Sequence, residues 1–193
     1  MVNNIRLKMK EIEVKILEID PAAIEKSLLK LGAEKKFSGL VKVRYFDKNG
    51  EIKKKKDVLR VRQFGADKGD QPEKVEVCYK TNKHTENGYK VCDEYHLAGH
   101  NFDESIGFFE HLGFEITCSY EKKRTVFKYK NLEIVIDEYP QISPFMEIEG
   151  EDTESIEQLI KDLGVDEKER SSKSIGGLLK EKYPHVQLDG LIF

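Results

Sequence analysis

Residues Lys10–Ile19 read KEIEVKILEI, and the fold turns on how their charges are placed. Ile12, Val14 and Ile16 alternate with Glu11, Glu13 and Lys15, so an extended chain puts the apolar set on one face and the charged set on the other. Such a strand normally turns its charged face to water. Whether it does so here depends on the other strands, because a face charged in every strand has a second possible home.

The pattern recurs along the chain. Lys42 pairs with Arg44, Arg60 with Arg62, Glu76 with Lys80, Lys90 with Glu94, Lys122 with Arg124, Glu133 with Asp137 and Glu147 with Glu149, each pair sharing one strand face. Val61, Val75, Val77, Val126, Ile134, Ile136, Met146 and Ile148 are read onto the other face. An open sheet with helices on its apolar side and water on the other is one explanation. The other is a closed sheet with its apolar face outward beneath helices and its charges lining a tunnel. About eight strands leave an interior only wide enough for side chains or one small ligand. Confined charges must be paired or bound to ions. Guanidinium groups grip phosphate in two places, and clustered carboxylates hold a hard divalent cation, so such an interior suits a polyphosphate with metal.

Between the strands lie amphipathic helices. The stretch PAAIEKSLLKLGA has Asp20 as its cap, Pro21 in its first turn and Gly32 at its stop. Helices are also expected in NFDESIGFFEHLGF, with Ile106, Phe109 and Leu112 inward, in EDTESIEQLIKDLG, and over about Ser171–Tyr183. The DKNGEIKKKKD stretch reads as a polar hairpin tip. The expected fold class is α+β, a closed antiparallel eight-stranded barrel with helices outside. A single domain is expected over residues 1–183, with residues 184–193 a weakly packed or mobile C-terminal tail.

Composition narrows the function. At 193 residues one well-buried domain is expected, and a net charge of −3 despite 36% charged residues argues against long-range attraction to nucleic acid or a membrane. The N-terminal residues lack the apolar stretch of a signal peptide, so a cytoplasmic location is expected. Cys78, Cys92 and Cys118 are widely spaced without a CxxC pair, and His84, His96, His100, His111 and His185 show no ligand spacing. Neither a zinc site nor a disulfide framework is expected from that spacing, and the histidines read as structural or exposed. No glycine-rich phosphate loop occurs, so side chains must recognise phosphate.

EIEVK resembles the ExExK signature of the CYTH domain, or triphosphate tunnel metalloenzymes. The later order of YFD, LRVR, YK, a glutamate-bearing strand, KKR, IVIDEY, FMEIEG and SKSIGGLL is similar to that family over residues 9–180 or so. The resemblance implies a tunnel fold and Mg2+ or Mn2+ as cofactor, held by Glu11, Glu13, Glu147 and Glu149 with Asp137 as a further acid. It implies phosphate binding by Lys15, Arg60, Arg62, Lys80 and Arg124, joined by Lys122 on alternation and by Lys173 at a tunnel mouth, with Glu94 orienting basic neighbours. Lys80, Arg124 and Asp137 are the implied catalytic groups. Many members carry an aspartate where this chain has Val43, which leaves open whether Lys42 or Arg44 takes the basic role there.

The resemblance favours a class IV adenylate cyclase-like enzyme converting ATP to cyclic AMP and pyrophosphate. The alternatives are a triphosphatase acting on inorganic, nucleoside or thiamine triphosphate, and a non-catalytic polyphosphate- or nucleotide-binding module. The expected partner is a small triphosphate such as ATP, tripolyphosphate or thiamine triphosphate, with no membrane and no nucleic acid. A homodimer is left open.

Overall fold

The structure, a computed structural model, describes residues 9–66 and 73–193, and of residues 9–11 and Ala66 the backbone alone. Its strands are β1 (Met9–Ile16), β2 (Glu34–Asp47), β3 (Val58–Ala66), β4 (Lys74–Glu86), β5 (Tyr89–Gly99), β6 (Glu115–Tyr129), β7 (Leu132–Glu138), β8 (Phe145–Gly150) and the two-residue β9 (Arg170–Ser171). They run β5-β4-β3-β2-β6-β7-β8-β1, and β1 pairs back onto β5, so eight antiparallel strands close into a barrel. The short β9 pairs with Lys15 and Ile16, where β1 has left its β5 partner. Closure removes the exposed edges that an open sheet of this size would carry.

Five helices accompany the barrel: α1 (Pro21–Lys30), α2 (Glu51–Lys54), α3 (Phe102–His111), α4 (Thr153–Asp162) and α5 (Ile175–Lys182). Local chemistry sets their ends. The Asp20 carboxylate accepts from the amides of Ala22 and Ala23 at the start of α1, and Gly32 takes the positive φ that ends it. Asn101 and Asp152 cap α3 and α4 in the same way. The short α2 replaces the expected hairpin tip, with Asp47 accepting from the amides of Ile52 and Lys53.

Most apolar strand faces point outward, and much of their area is covered by helices. Ile24 and Leu28 of α1, with Ile156, Leu159 and Ile160 of α4, pack on Val14, Ile16, Ile134, Ile136, Met146 and Ile148. Each such side chain contributes about 1.5–3 kcal/mol on full burial. On another side, Phe102, Ile106 and Phe109 of α3 cover Phe46, Leu59, Val61 and Val75. Leu112, read as inward, is the residue that ends α3 and is half exposed. Among the described residues no helix is long and apolar enough to cross a membrane.

Residues 184–193 depart from the expected loose tail. Val186 and Leu191 are buried, and Leu191 lies parallel to Tyr120 on the edge of β6 beyond the end of β7. The Gly190 amide donates to the Ser119 carbonyl (2.7 Å) and the Glu121 amide to that of Leu191 (2.8 Å). The protruding edge of β6 needs backbone partners, and the tail supplies them. Leu178 and Leu179 of α5 join Val186 and Leu191 over Leu17, Val41, Val43, Tyr120, Tyr139 and Phe145.

Candidate active site in the barrel interior

Strand register decides which side chains meet inside, because directly opposed residues share a face. Glu13 opposes Glu149 and Lys15 opposes Glu147, Arg124 opposes Asp137, Arg62 opposes Glu76, and Lys80 opposes Glu94. Arg60 lies opposite Cys78, and Lys122 opposite Val41. The charged faces of β1, β3, β4, β5, β6, β7 and β8 therefore line one interior. Backbone register puts Glu11 on the same face of β1, but its side chain lies outside the described residues.

Strand β2 is the exception. Val43 opposes both Arg62 and Tyr120, so Val41, Val43 and Tyr45 face the interior while Lys42 and Arg44 face out. The Arg44 guanidinium lies over the Phe102 ring of α3 at 5.6 Å. Neither residue takes the basic role expected of one of them. Val126, read as outward, opposes Val135 on the interior face. Lys173 sits in the turn before α5, half exposed and paired with Glu181 at 2.5 Å, and is not brought to this cluster.

Inside, most cations meet an acid. Lys15 Nζ lies 2.9 Å from both Glu13 Oε1 and Glu147 Oε1, and Lys90 Nζ also reaches Glu13 at 2.9 Å. Arg124 binds Asp137 with two hydrogen bonds, of 2.7 and 2.6 Å, and reaches Glu147 at 3.4 Å, while Lys122 donates to Asp137 at 2.7 Å. Arg62 pairs with Glu76 and Lys80 with Glu94. Arg60 Nε is buried without a hydrogen-bond partner, a donor directed into the interior with nothing to receive it. An unmade bond of this kind costs free energy that an anionic ligand would recover.

Electrostatics follow from this crowding. Burial would raise the Glu147 carboxyl, but Lys15, Arg124 and Lys122 outweigh it and hold the group well below the usual range. Asp137 is likewise lowered against its burial by Arg124 and Lys122, and Glu13 by Lys15 and Lys90. Lys15 is raised because Glu147 and Glu13 overcome its desolvation. Lys122 goes the other way: burial first, then the Arg124 charge, push it down to about 7 despite Asp137 and Glu147. Two cations share Asp137, and the bidentate guanidinium takes the better geometry.

Several participants had no clear mark in the sequence. Between Thr81 and His84 the register shifts, with Asn82 at φ 52°, and this bulge on β4 brings Lys83 beside Lys80, Lys90 and Cys92. Burial and the neighbouring Lys90 lower the Lys83 amine. Beside it Lys55, Lys56, Asp57, Thr81, Asn82 and Lys83 line an open cavity of about 360 Å3. Asn82, an αL-tolerant residue, was the one available hint. Tyr120, Tyr139 and Phe145 form the aromatic part of the interior, with Tyr139 stacked on Phe145 at 5.8 Å.

A sequence model of the CYTH domain matches residues 9–175. The chain belongs to the CYTH domain family. This family is largely enzymatic, comprising triphosphatases and class IV adenylyl cyclases, generally dependent on a divalent metal, and implies triphosphate ligands. Among solved structures, the CYTH chain is similar to the PH1819 protein of Pyrococcus horikoshii (22% identity, TM-score 0.71, covering 89% of this chain and 99% of that one). It is similar to a Vibrio parahaemolyticus protein described as a candidate adenylate cyclase (16%, 0.68, 88% and 97%). A third is the Hippeastrum protein HpAC1, described with a dominant triphosphatase activity (17%, 0.63, 91% and 96%). At these identities the likeness is one of fold. No curated protein matches the chain significantly.

The donor set suits the metal that the family implies. Glu13 opposes Glu149 and lies diagonally from Glu147 across β1 and β8, and the three offer only carboxylate oxygens, the ligands that Mg2+ and Mn2+ prefer. Lys15 bridges Glu13 and Glu147, so their negative charge already attracts a cation to this corner.

Proposed function

We propose that this CYTH protein is a metal-dependent triphosphate hydrolase, with inorganic tripolyphosphate as the substrate that suits its interior best. The observation that supports this most is the division of the interior: a basic arc of Arg60, Arg62, Lys80, Lys122 and Arg124 beside an acidic corner of Glu13, Glu147 and Glu149, with the aromatic remainder covered by α5 and the tail. Phosphate has partners there, whereas a nucleoside entering the aromatic part would have to displace Leu178, Leu179 and Leu191.

In this reading binding exchanges partners. Phosphate oxygens take Arg62, Lys80, Arg124 and Lys15 from Glu76, Glu94, Asp137 and Glu147, and fill the open donor of Arg60. Before the anion arrives, Asp137 keeps Arg124 and Lys122 aimed inward, and Glu94 positions Lys80. Glu13, Glu147 and Glu149, with Glu11, would hold Mg2+ or Mn2+, which supplies neutralisation of phosphate charge and a more acidic bound water. Lys122, depressed when empty, regains its proton beside a polyanion and adds charge where the transition state gathers it. Lys83 and Lys90 draw the anion to the mouth.

The cyclase reading draws on the open cavity of about 360 Å3 lined by Lys55, Lys56 and Lys83, which gives a nucleoside a place beside the tunnel. One experiment separates the readings: incubate the purified protein with tripolyphosphate, ATP or thiamine triphosphate under Mg2+ or Mn2+ and identify every product. Phosphate and pyrophosphate from tripolyphosphate are expected. Cyclic AMP with pyrophosphate from ATP as the dominant products would favour the cyclase, and binding without turnover of any of the three would leave a binding module.

A further inference from the structure

Outside the acidic corner, the wall formed by β4 and β5 gathers a different kind of donor set. Cys78 and His96 are directly opposed in the register, and Glu76 is two residues before Cys78 on the same face. One ligand atom from each of Glu76, Cys78 and His96 lies within 4.8 Å of the other two. His96 Nδ1 is 3.3 Å from Glu76 Oε1, and His96 Nε2 is 2.9 Å from Glu94 Oε2, an oxygen itself 3.7 Å from Cys78 Sγ. Two carboxylates, an imidazole and a thiol thus converge around one small volume, with Cys78 fully buried and His96 partly open.

We propose that Glu76, Cys78 and His96 form a transition-metal site in the barrel wall, of a kind that takes Zn2+ or Co2+, with Glu94 adjacent as a fourth donor. Sulfur, imidazole nitrogen and carboxylate oxygen form a mixed set that suits four-coordinate Zn2+ and is foreign to Mg2+. This site is distinct in residues and chemistry from the Glu13, Glu147 and Glu149 corner. The positive charges of Arg60, Arg62 and Lys80 stand near it and oppose entry of a cation held only by hard oxygens. Metal–thiolate and metal–imidazole bonds offset that repulsion. On binding, the Cys78 thiol gives its proton to solvent and its sulfur bonds the metal, and one imidazole nitrogen offers its lone pair.

The position of the site gives it a consequence. Glu76 is the ion-pair partner of Arg62, and Glu94 that of Lys80. A metal that draws on these carboxylates loosens two cations of the basic arc, so occupancy of the wall and anion binding in the tunnel are coupled in the same direction.

Titration of the metal-free, reduced full-length protein with Co2+ tests the proposal without reference to turnover. One thiolate-ligated Co2+ per chain is expected, with a thiolate-to-cobalt charge-transfer band in the near ultraviolet and visible bands of tetrahedral intensity. Any Co2+ taken up by the all-carboxylate corner adds no such charge-transfer band. Zn2+ should abolish them at stoichiometric amounts and millimolar Mg2+ should not. Cys78→Ser should remove the charge-transfer band, and His96→Gln, at a partly exposed position that spares the fold, should weaken Co2+ binding about 10- to 100-fold. Cys92→Ser and Glu13→Gln should keep the spectrum. Circular dichroism confirms that each variant is folded, and a Cys78→Ser chain that is not folded leaves His96→Gln to decide. Absence of the band in the wild type, its survival in folded Cys78→Ser, its loss in Cys92→Ser, or unchanged affinity in His96→Gln would overturn the assignment.

Discussion

Arg124 and Asp137 stand opposite each other on β6 and β7 and are joined by two hydrogen bonds of 2.7 and 2.6 Å, deep inside the barrel. The same carboxylate also accepts from Lys122 at 2.7 Å. Replacing Asp137 with Asn removes the charge but keeps the shape, leaving two cations short of a partner. Loss of one member of a buried pair costs about 3–5 kcal/mol. The Asp137→Asn protein is expected to lose stability of that order in urea denaturation, with tripolyphosphate restoring more of it than in the wild type. Equal stability with and without the anion would contradict the picture of an interior that balances its own charge.

The acidic corner gives a second expectation. Glu13→Gln and Glu147→Gln each take a carboxylate from the donor set and a partner from Lys15. Metal-dependent turnover should fall more than about 100-fold in each. Relief of repulsion among clustered acids would by itself leave stability unchanged or higher. The pairing seen here reverses that sign, because Lys15 is almost wholly buried and depends on both partners. Melting temperatures below the wild type, with the barrel's circular dichroism kept, are expected in both variants.

Strand β2 shows where sequence stopped being enough. Alternation placed the charged faces of seven strands correctly, because in those strands charge marks the interior. In β2 the code is inverted. Val41, Val43 and Tyr45 face the aromatic part of the barrel covered by α5, so the charged residues of that strand, Lys42 and Arg44, are the ones that point out. Period-two patterning separates two faces but does not say which is inside. The docked tail and the Lys83 bulge were hidden for related reasons, since both depend on where neighbouring strands end or slip. The Glu76, Cys78 and His96 cluster is created by register between β4 and β5, which residue spacing does not carry.

That inversion can be tested directly. Lys42→Ala and Arg44→Ala should leave turnover within about twofold of wild type, while Arg60→Ala and Arg62→Ala should reduce it by at least about 100-fold. Arg44→Ala should still cost roughly 0.5–1 kcal/mol of stability through its contact with the Phe102 ring. A large loss of kcat in Lys42→Ala would contradict the register of β2.

Lys83 offers a test of the mouth. It reaches the Lys80 and Lys90 neighbourhood only because the backbone bulges at Asn82. Lys83→Ala should raise KM for tripolyphosphate several-fold with kcat nearly unchanged, and the difference should shrink as salt is added. Asn82→Gly keeps the left-handed backbone and should resemble wild type, whereas Asn82→Val, β-branched at positive φ, should raise KM like Lys83→Ala and lower stability by about 1–2 kcal/mol. A Lys83→Ala defect confined to kcat would place the residue deeper than the mouth.

The last expectation concerns Lys122, whose amine is pushed down to about 7 by burial and by Arg124. Its ordinary value is 10.5, so between about pH 7 and 10.5 the unfolded chain binds a proton there that the folded chain does not. Stability contributed by this group therefore rises with pH across that window, by up to about 1.4 kcal/mol per unit. Below pH 7 both states hold the proton and the slope vanishes. Lys122→Met, which fills the site without a charge, should be more stable than wild type at pH 6, and its advantage should decline steadily from pH 7 to 10 in denaturation curves. A triphosphate bound beside Lys122 favours the ammonium, so wild-type binding at pH 8 should take up a proton that Lys122→Met does not. Calorimetry in two buffers of different ionisation enthalpy measures that uptake. Equal proton uptake by the two proteins would show that Lys122 is already protonated in the empty tunnel, which would remove it from the proton uptake that accompanies anion binding.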